Sequence, residues 1–275
     1  MITNTLDGIG YTAGCWPFNR QRPTLVFIHG SGGDRRMWQA QIEALAETAN
    51  TLALDLPGHG ASRGPGYDRV PDYAQALAVF LERLAPPGPI PCGLSIGGAI
   101  VLQLLLDWPS LLTGGVLIGT GARLRVLPEI LATITNNYPD FIDMLAQFSA
   151  SRKTDQALLQ PFREAAAACA PEVTAGDFHA CDRFDVMARL AQIAKPVLII
   201  SAADDRLTPP KYSDFLEKHI TGSRRVHIGD AGHLVPIEKP DAVNQALTDF
   251  IAGLPDKDKT VGLRRVFPPE RFTKK

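Results

Sequence analysis

Unbroken apolar runs of membrane-spanning length, closely spaced cysteine pairs and an excess of one charge sign are all missing from this chain of 275 residues. The longest run without a charged residue, 84–106, contains four prolines and four glycines, so it cannot form one membrane-spanning helix. The first ten residues lack the basic flank and the apolar stretch of a secretory signal. A net charge of −1 leaves no basic footprint for nucleic acid. We therefore expect neither a membrane nor a nucleic acid as a partner.

The cysteines are few and scattered. Cys15, Cys92, Cys169 and Cys181 form no CxxC pair and no metal-ligand spacing. This usage predicts reduced thiols in a cytoplasmic protein, with no metal and no cofactor. A disulfide between Cys169 and Cys181 is the alternative to two small apolar side chains on helices.

Strand and helix patterns alternate along most of the chain, whose composition, 45% hydrophobic and 21% charged, is that of a folded domain. Short, continuous apolar runs indicate strands buried on both faces of a parallel sheet. The predicted class is α/β, with a doubly wound, mostly parallel sheet. The first twenty residues are compatible with one or two short antiparallel edge strands. The predicted strands are Thr24–Ile28, Thr51–Asp55, Ile90–Leu94, Gly115–Ile118, Pro196–Ser201 and Arg225–Ile228.

The alternation fails between residues 122 and 186, where only helical patterns occur. We interpret this stretch as a helical cap inserted into a core formed by residues 1–121 and 187–275, since a structureless loop of that length is improbable in a compact domain. The sequence does not assign a structure to the basic stretch 255–275. Within the insertion the predicted helices are Leu127–Thr135, Phe141–Phe148, Leu158–Cys169 and Asp177–Met187, and in the core they include Pro71–Leu84 and Asp241–Ile251.

A candidate nucleophile stands between a predicted strand and a predicted helix. Residues 93–97 read Gly-Leu-Ser-Ile-Gly, which has the form G-x-S-x-G. A serine presented at so sharp a turn needs a strained backbone and small neighbours on both sides, which the glycines supply. The following helix would direct its free N–H groups toward a developing negative charge. The alternative interpretation is a glycine-rich turn in which Ser95 caps the helix.

With this motif the sequence resembles the α/β-hydrolase fold enzymes over about residues 20–252. Residues 55–62, Asp-Leu-Pro-Gly-His-Gly-Ala-Ser, resemble that family's D-x-P-G-H-G-x-S turn, which marks the fold without taking part in the chemistry. The resemblance implies an α/β-hydrolase sheet and a Ser-Asp-His triad in that chain order.

A serine needs a base, and the base needs an acid that holds its tautomer. His233 follows the last predicted strand in a Gly-His loop, where the family's base typically lies. The acid should follow the strand before it, where Asp204 and Asp205 compete. In the resembled family the acid often precedes a proline by four positions, which favours Asp205 because of Pro209.

The loop after the first predicted parallel strand reads His-Gly-Ser-Gly-Gly at residues 29–33. By the resemblance, the backbone N–H groups of Ser31 and Ile96 form the oxyanion hole, and His29 holds the loop as a structural histidine. The rival interpretation is a phosphate-binding loop, but the Walker spacing and its Lys-Ser/Thr ending are missing.

A serine, histidine and aspartate with an oxyanion hole indicate attack on a carbonyl and an acyl-serine intermediate. We expect hydrolysis of small, largely apolar carboxylic esters or lactones, as in the small carboxylesterases and enol-lactone hydrolases that the Ser95 motif resembles. No basic cluster marks an anionic substrate convincingly, although Arg35 and Arg36 lie beside the oxyanion loop. The candidate pocket residues are Trp38, Phe141, Met144, Phe148 and Leu207; at helical spacing, those in the insertion are also typical of its own core.

Two other functions fit the same triad. One is hydrolysis of a carbon–carbon bond in ring-cleavage diketones, although such enzymes often carry asparagine where this chain has Leu94. The other is a ligand receptor on the same fold, because an intact triad does not by itself establish turnover.

Overall fold

The computed structural model describes residues 1–255, and within them eight strands form one sheet. Its spatial order is β1-β2-β4-β3-β5-β6-β7-β8. The first two strands form an antiparallel hairpin, β2 pairs antiparallel with β4, and the other pairs are parallel. The strands are β1 Ile2–Leu6, β2 Ile9–Ala13, β3 Thr24–Ile28, β4 Asn50–Leu54, β5 Pro89–Leu94, β6 Gly115–Ile118, β7 Val197–Ala202 and β8 Arg224–Ile228.

The predicted α/β class and doubly wound sheet are confirmed. All six predicted parallel strands are present with ends within one residue of the prediction, and the hairpin at the start supplies two antiparallel strands. Successive β3 residues belong to different core clusters, with Leu25 and Phe27 on one face and Val26 and Ile28 on the other. Helices cover both faces, which is why these strands read as continuous apolar runs rather than alternating ones.

The α-helices of the described residues lie between these strands, except for α9 and α10, which follow β8. Those of the insertion, α4 to α7, follow one another without an intervening strand, as the sequence predicts. The α-helices are α1 Gln39–Ala44, α2 Val70–Leu84, α3 Ile96–Asp107, α4 Pro128–Asn136, α5 Tyr138–Ser149, α6 Gln160–Ala168, α7 Pro171–Arg183, α8 Lys211–His219, α9 Val235–Glu238 and α10 Pro240–Ala252.

The predicted helix Asp177–Met187 is wrong in both of its ends. Helix α7 begins at Pro171, in the first turn, where the missing N–H of proline costs nothing. It ends at Arg183, because Phe184 has an extended backbone with φ −77° and ψ 123°. Asp177 therefore lies in the middle of a helix and is completely buried.

Helix α3 is the central helix of the fold. Ten of its twelve residues are buried, and it packs against α2, β5 and β6. Helix α2 buries Tyr73, Leu77 and Phe80 and ends at Leu84, after which Ala85 adopts a left-handed conformation (φ 47°). The nucleophile candidate therefore stands at the end of a helix embedded in the core.

None of the helices within residues 1–255 combines the length and the apolar character that crossing a bilayer requires. All four cysteines are free thiols, so the disulfide between Cys169 and Cys181 is not formed. The basic stretch 255–275 lies outside the described residues, apart from Pro255. The division of the chain into core and cap stays a prediction.

Candidate active site

Ser95 occupies the turn between β5 and α3 in a strained conformation, with φ 58° and ψ −118°. Such angles are rare for a residue with a side chain and are retained where the surroundings enforce them. Here its N–H donates to the carbonyl of Ile118 (3.0 Å), and its own carbonyl accepts from the Thr120 hydroxyl (2.8 Å). The turn is thus fastened to the end of β6.

The glycines beside Ser95 are required by close backbone approach. A Cβ on Gly93 would lie 2.1 Å from the carbonyl carbon of Gly97, and one on Gly97 would lie 2.5 Å from the carbonyl oxygen of Ile28. Neither contact can relax, since backbone atoms lie on the other side. The steric reasoning from the sequence therefore agrees with the geometry of the turn.

Asp205 and His233 form a buried pair at the ends of β7 and β8. The Asp205 Oδ2 and His233 Nδ1 atoms lie 2.9 Å apart. Asp205 Oδ1 accepts from the N–H groups of Leu207 (2.9 Å) and Thr208 (2.8 Å), and Oδ2 also accepts from the Thr208 hydroxyl (2.8 Å). Burial by itself would raise the pKa of Asp205, but the His233 charge and these hydrogen bonds outweigh it and lower the pKa. Asp205 is thus held as a carboxylate, and it fixes the proton of His233 on Nδ1.

Asp204, the competing carboxylate, faces the other way. It is exposed, and its Oδ2 accepts from the Ser151 hydroxyl (2.6 Å) in the insertion. No hydrogen bond joins Asp204 to His233 within residues 1–255, whereas Asp205 makes one at 2.9 Å.

Ser95 and His233 line the same small cavity of about 30 Å³, at the carboxyl edge of the sheet. The structure has no hydrogen bond between the Ser95 hydroxyl and the His233 ring among its described residues. Such contacts are often long before substrate binds. Because Nδ1 carries the proton toward Asp205, Nε2 is the ring nitrogen free to accept a proton.

Of the two predicted oxyanion donors, Ser31 lines this cavity and Ile96 directly follows Ser95 in the chain. Ile96 is the first residue of α3, where helix N–H groups have no intrahelical partner. The peptide that carries the Ser31 N–H is held through the Gly30 carbonyl, which accepts from His29 Nδ1 (2.8 Å) and from the Gly33 N–H (3.0 Å). Within residues 1–255, the N–H groups of Ser31 and Ile96 have no hydrogen-bond partner.

His29 makes only structural contacts. Its Nε2 accepts from the Leu56 N–H (3.0 Å), so its proton lies on Nδ1 and points at Gly30. Burial first, and then the charge of His59, lower the pKa of His29 to about 4. A neutral ring with both nitrogens occupied agrees with the prediction of a structural histidine.

Two buried carboxylates near the site were missed by the sequence reasoning. Asp177 of α7 bonds to the oxyanion loop at Gly32 and to His59. Glu238 of α9 accepts from the N–H groups of Gly232 (3.0 Å) and Ser151 (2.9 Å). Each joins the insertion to a loop beside Ser95 or His233. A carboxylate on an amphipathic helix resembles a solvent-facing one in sequence, so nothing in the local pattern identifies them.

The main cleft above Ser95 has a volume of about 180 Å³. Leu207, a predicted pocket residue, lines it, together with Arg125, Arg206 and Tyr212. The rest of its wall is mainly apolar and includes Leu124, Val126, Leu127, Ile130 and Phe178.

The other predicted pocket residues lie elsewhere, and none lines either described cavity beside Ser95. Trp38 is fully buried and stacked on Phe27, with ring centroids 5.0 Å apart. Phe141 is fully buried in the core of the insertion, and Met144 packs against the same core. Phe148 is 48% exposed and lies under the guanidinium of Arg206 at 4.9 Å. The helical spacing that singled out Phe141 and Met144 reflects packing within the insertion.

The side chains of Arg35 and Arg36 each form an ion pair with a nearby carboxylate. Arg35 pairs with the buried Asp55 of the D-x-P-G-H-G-x-S turn, and Arg36 pairs with Asp34 at 2.6 Å. Neither lines the cavities at Ser95 described above.

Residues 25–246 match the alpha/beta hydrolase family. The chain belongs to this family, which confirms the resemblance carried by the motifs. It is 26% identical to a pimeloyl-[acyl-carrier protein] methyl ester esterase of Nitrosomonas europaea, a match covering 80% of this chain and 92% of the relative. It is also 26% identical to 3-oxoadipate enol-lactonase 2 of Acinetobacter baylyi, covering 82% and 87%.

Solved structures give the same assignment of the fold. A thermophilic esterase superposes with a TM-score of 0.78 at 30% identity, covering 92% of this chain and 97% of the other. The enol-lactonase of Burkholderia xenovorans superposes with a TM-score of 0.82 at 23% identity, covering 91% and 100%. At that lower identity the likeness concerns the fold alone.

Proposed function

We propose that this hydrolase cleaves small, largely apolar carboxylic esters or lactones through an acyl-serine intermediate. Ser95 is the nucleophile, His233 the general base and Asp205 the acid that orients it. The observation that carries the proposal is the 2.9 Å Asp205–His233 contact, beside a cavity that His233 shares with Ser95. The esterase and the enol-lactonase named among the relatives support the same reaction class.

In the first half of the reaction, His233 Nε2 takes the Ser95 proton as the hydroxyl oxygen attacks the carbonyl carbon. The N–H groups of Ser31 and Ile96 stabilise the oxyanion, and His233 returns the proton to the leaving alkoxide. In the second half, His233 Nε2 takes a proton from water as the water oxygen attacks the acyl-serine, and it returns that proton to Ser95 Oγ as the acyl–oxygen bond breaks and the acid leaves. Asp205 remains a carboxylate throughout and balances the imidazolium that forms.

The cleft supports the proposed substrate class. A volume of about 180 Å³ holds a small molecule, and mostly apolar walls favour a largely apolar acyl or alcohol part. In this proposal residues 122–186 act as a cap, because Leu124, Ile130 and Phe178 of that segment line the cleft. A cytoplasmic location, supported by the free thiols, is part of the same proposal.

The test combines an ester panel with covalent labelling. p-Nitrophenyl esters of increasing acyl length should be hydrolysed with a preference for short chains, and a fluorophosphonate should label Ser95. Ser95→Ala should abolish both while leaving the melting temperature nearly unchanged. Ser201→Ala is the matched control, since the Ser201 hydroxyl also contacts a histidine, His227 Nδ1, at 3.0 Å, but on another part of the sheet.

Labelling without turnover of any ester would favour a receptor. Turnover of a vinylogous diketone with no activity on esters would favour carbon–carbon cleavage. Full activity in Ser95→Ala would refute the nucleophile assignment.

A further inference from the structure

A buried carboxylate of the insertion contacts the oxyanion loop directly. Asp177, fully buried in the middle of α7, accepts the Gly32 N–H at its Oδ2 (2.9 Å). The same oxygen accepts from His59 Nε2 (2.9 Å), and Oδ1 accepts from the Tyr73 hydroxyl (2.7 Å). One side chain thus joins the oxyanion loop, the turn after β4 and helix α2.

His59 is the cationic partner of this carboxylate. Its Nδ1 faces the Pro57 carbonyl (3.1 Å) and its Nε2 faces Asp177, and both of these groups are acceptors. A ring with two acceptors carries a proton on each nitrogen. Burial by itself would lower the pKa of His59, but the Asp177 charge and hydrogen bond raise it well above its ordinary value. The two residues therefore form a buried ion pair.

The geometry at Ser31 gives this ion pair a consequence for catalysis. The peptide before Ser31 is held at the Gly30 carbonyl by His29 and Gly33. The peptide after Ser31 carries the Gly32 N–H, and Asp177 is its partner. Gly32 has φ +66°, and a Cβ there would lie 3.2 Å from the Thr174 hydroxyl of α7. With both flanking peptides fixed, the direction of the Ser31 N–H is fixed as well.

We propose that Asp177 is a positioning residue for the oxyanion hole: its carboxylate holds the Gly32 N–H, and thereby keeps the Ser31 N–H aimed at the place where the oxyanion forms. This inference rests on the proposed function. It makes the helical insertion part of the catalytic machinery, because one of the two oxyanion donors depends on a contact from α7. An ion pair that served stability alone would not require the bond to Gly32.

The experiment compares two Asp177 variants with a matched control in the same cluster. Asp177→Ala removes the acceptor of Gly32, whereas Asp177→Asn replaces it with a weaker, neutral one. Tyr73→Phe removes a hydrogen bond from the other oxygen of the carboxylate and leaves the Gly32 contact in place. Each variant is assayed for ester turnover and for unfolding in urea.

Two ketone inhibitors separate positioning from structure. The serine adds to the carbonyl of a trifluoromethyl ketone, and the resulting adduct has its oxyanion in the oxyanion hole. The matching methyl ketone instead binds as a ground-state analogue. Asp177→Ala should lower both kcat/KM and the trifluoromethyl ketone affinity by about tenfold to a hundredfold, and Asp177→Asn by about three- to tenfold. The methyl ketone affinity should change by less than about twofold in all variants, and Tyr73→Phe should lose stability but retain its kcat.

The outcomes distinguish the inference from the proposed function. If Asp177→Ala does not fold, the comparison of Asp177→Asn with Tyr73→Phe decides. Unchanged trifluoromethyl ketone affinity in the Asp177 variants, or an equal loss in Tyr73→Phe, would overturn the positioning role while leaving the hydrolase intact. A wild-type protein with no ester turnover and no label on Ser95 would overturn the proposed function, and the inference with it.

Discussion

The Asp205 carboxylate lies 2.9 Å from the His233 ring, while that of its neighbour Asp204 accepts a hydrogen bond from the Ser151 hydroxyl of the insertion. The two adjacent aspartates thus have different hydrogen-bond partners. The first is buried and tied to the candidate base, and the second is exposed and joins the insertion to the sheet.

This arrangement predicts unequal effects of two isosteric changes. Asp205→Asn should lower kcat for p-nitrophenyl butyrate by about two to four orders of magnitude, because an amide cannot hold the His233 proton on Nδ1 in the same way. Asp204→Asn should stay within about threefold of wild type, since its amide oxygen still accepts from Ser151. The reverse order of damage would move the acid to Asp204.

The glycine before His233 should resist enlargement. A Cβ on Gly232 would lie 2.6 Å from three backbone atoms of residues 149–151, whereas one on Gly229 would meet nothing within 4 Å. Gly232→Ala should therefore lower the free energy of unfolding by about 1–3 kcal/mol and reduce turnover, because the loop that carries His233 must shift. Gly229→Ala is the control, and urea denaturation of the two variants gives the comparison. Equal stabilities would show that the insertion does not pack on this loop as described.

Backbone strain at Ser95 should be measurable as a difference in stability between two variants of this residue. Ser95→Ala and Ser95→Gly both remove the nucleophile, but only glycine adopts φ 58° and ψ −118° without a Cβ penalty. Replacing alanine with glycine relieves about 1–3 kcal/mol of backbone strain in the folded state. This relief exceeds the entropic cost of ordering glycine, which is more flexible in the unfolded chain, so the Gly variant should be more stable than the Ala variant by about 1 kcal/mol. Thermal and urea unfolding check this difference. A more stable Ala variant would mean that the turn is not strained.

Acid should destabilise the protein through His29. Its pKa is lowered to about 4 by burial and by the charge of His59, whereas an unfolded histidine titrates near about 6.5. A lowered folded-state pKa means that the contribution to stability is present above pH 6.5 and is lost as the pH falls toward 4. Between pH 7 and pH 4.5 the free energy of unfolding should fall by about 2–3 kcal/mol from this group.

The pKa of His59 is shifted in the opposite direction, so His59 does not contribute to the loss of stability in acid. The Asp177 charge and hydrogen bond raise the pKa of His59. The stability that His59 contributes is therefore fully present below the pKa of an unfolded histidine. His29→Asn, which keeps a donor for the Gly30 carbonyl, should be less stable at pH 7 and should show a flatter pH dependence. Urea titrations at several pH values test this, and an unchanged slope in the variant would assign the loss to other groups.

The sheet and its turns follow closely from the sequence because their signals are local. Glycines that must approach backbone, and apolar runs of five or six residues, are determined by the short segment in which they occur. The position of Ser95 after β5 and of His233 after β8 therefore emerges from the order of the strands. Their meeting follows from the parallel pairing, which brings all carboxyl ends to one edge.

The insertion was harder to predict because its packing is not local. Trp38 and Phe141 are large apolar side chains predicted to line the pocket, but Trp38 stacks on Phe27 of the sheet and Phe141 packs between Tyr138 and Phe178 of the insertion. Asp177 is buried because His59 and Gly32, more than a hundred residues earlier, supply its partners. Periodicity records that a helix has an apolar face, but not which charged residue on it will find a partner.

The hydrogen bond between Ser151 and Glu238, together with that between Gly32 and Asp177, has a consequence for engineering. Exchanging the segment 122–186 for its counterpart in a relative, in order to graft a new substrate preference, would also replace the residues that brace the loops beneath it. A working chimera would have to transfer each contact as a pair, with His59 and Glu238 redesigned alongside the transplanted helices.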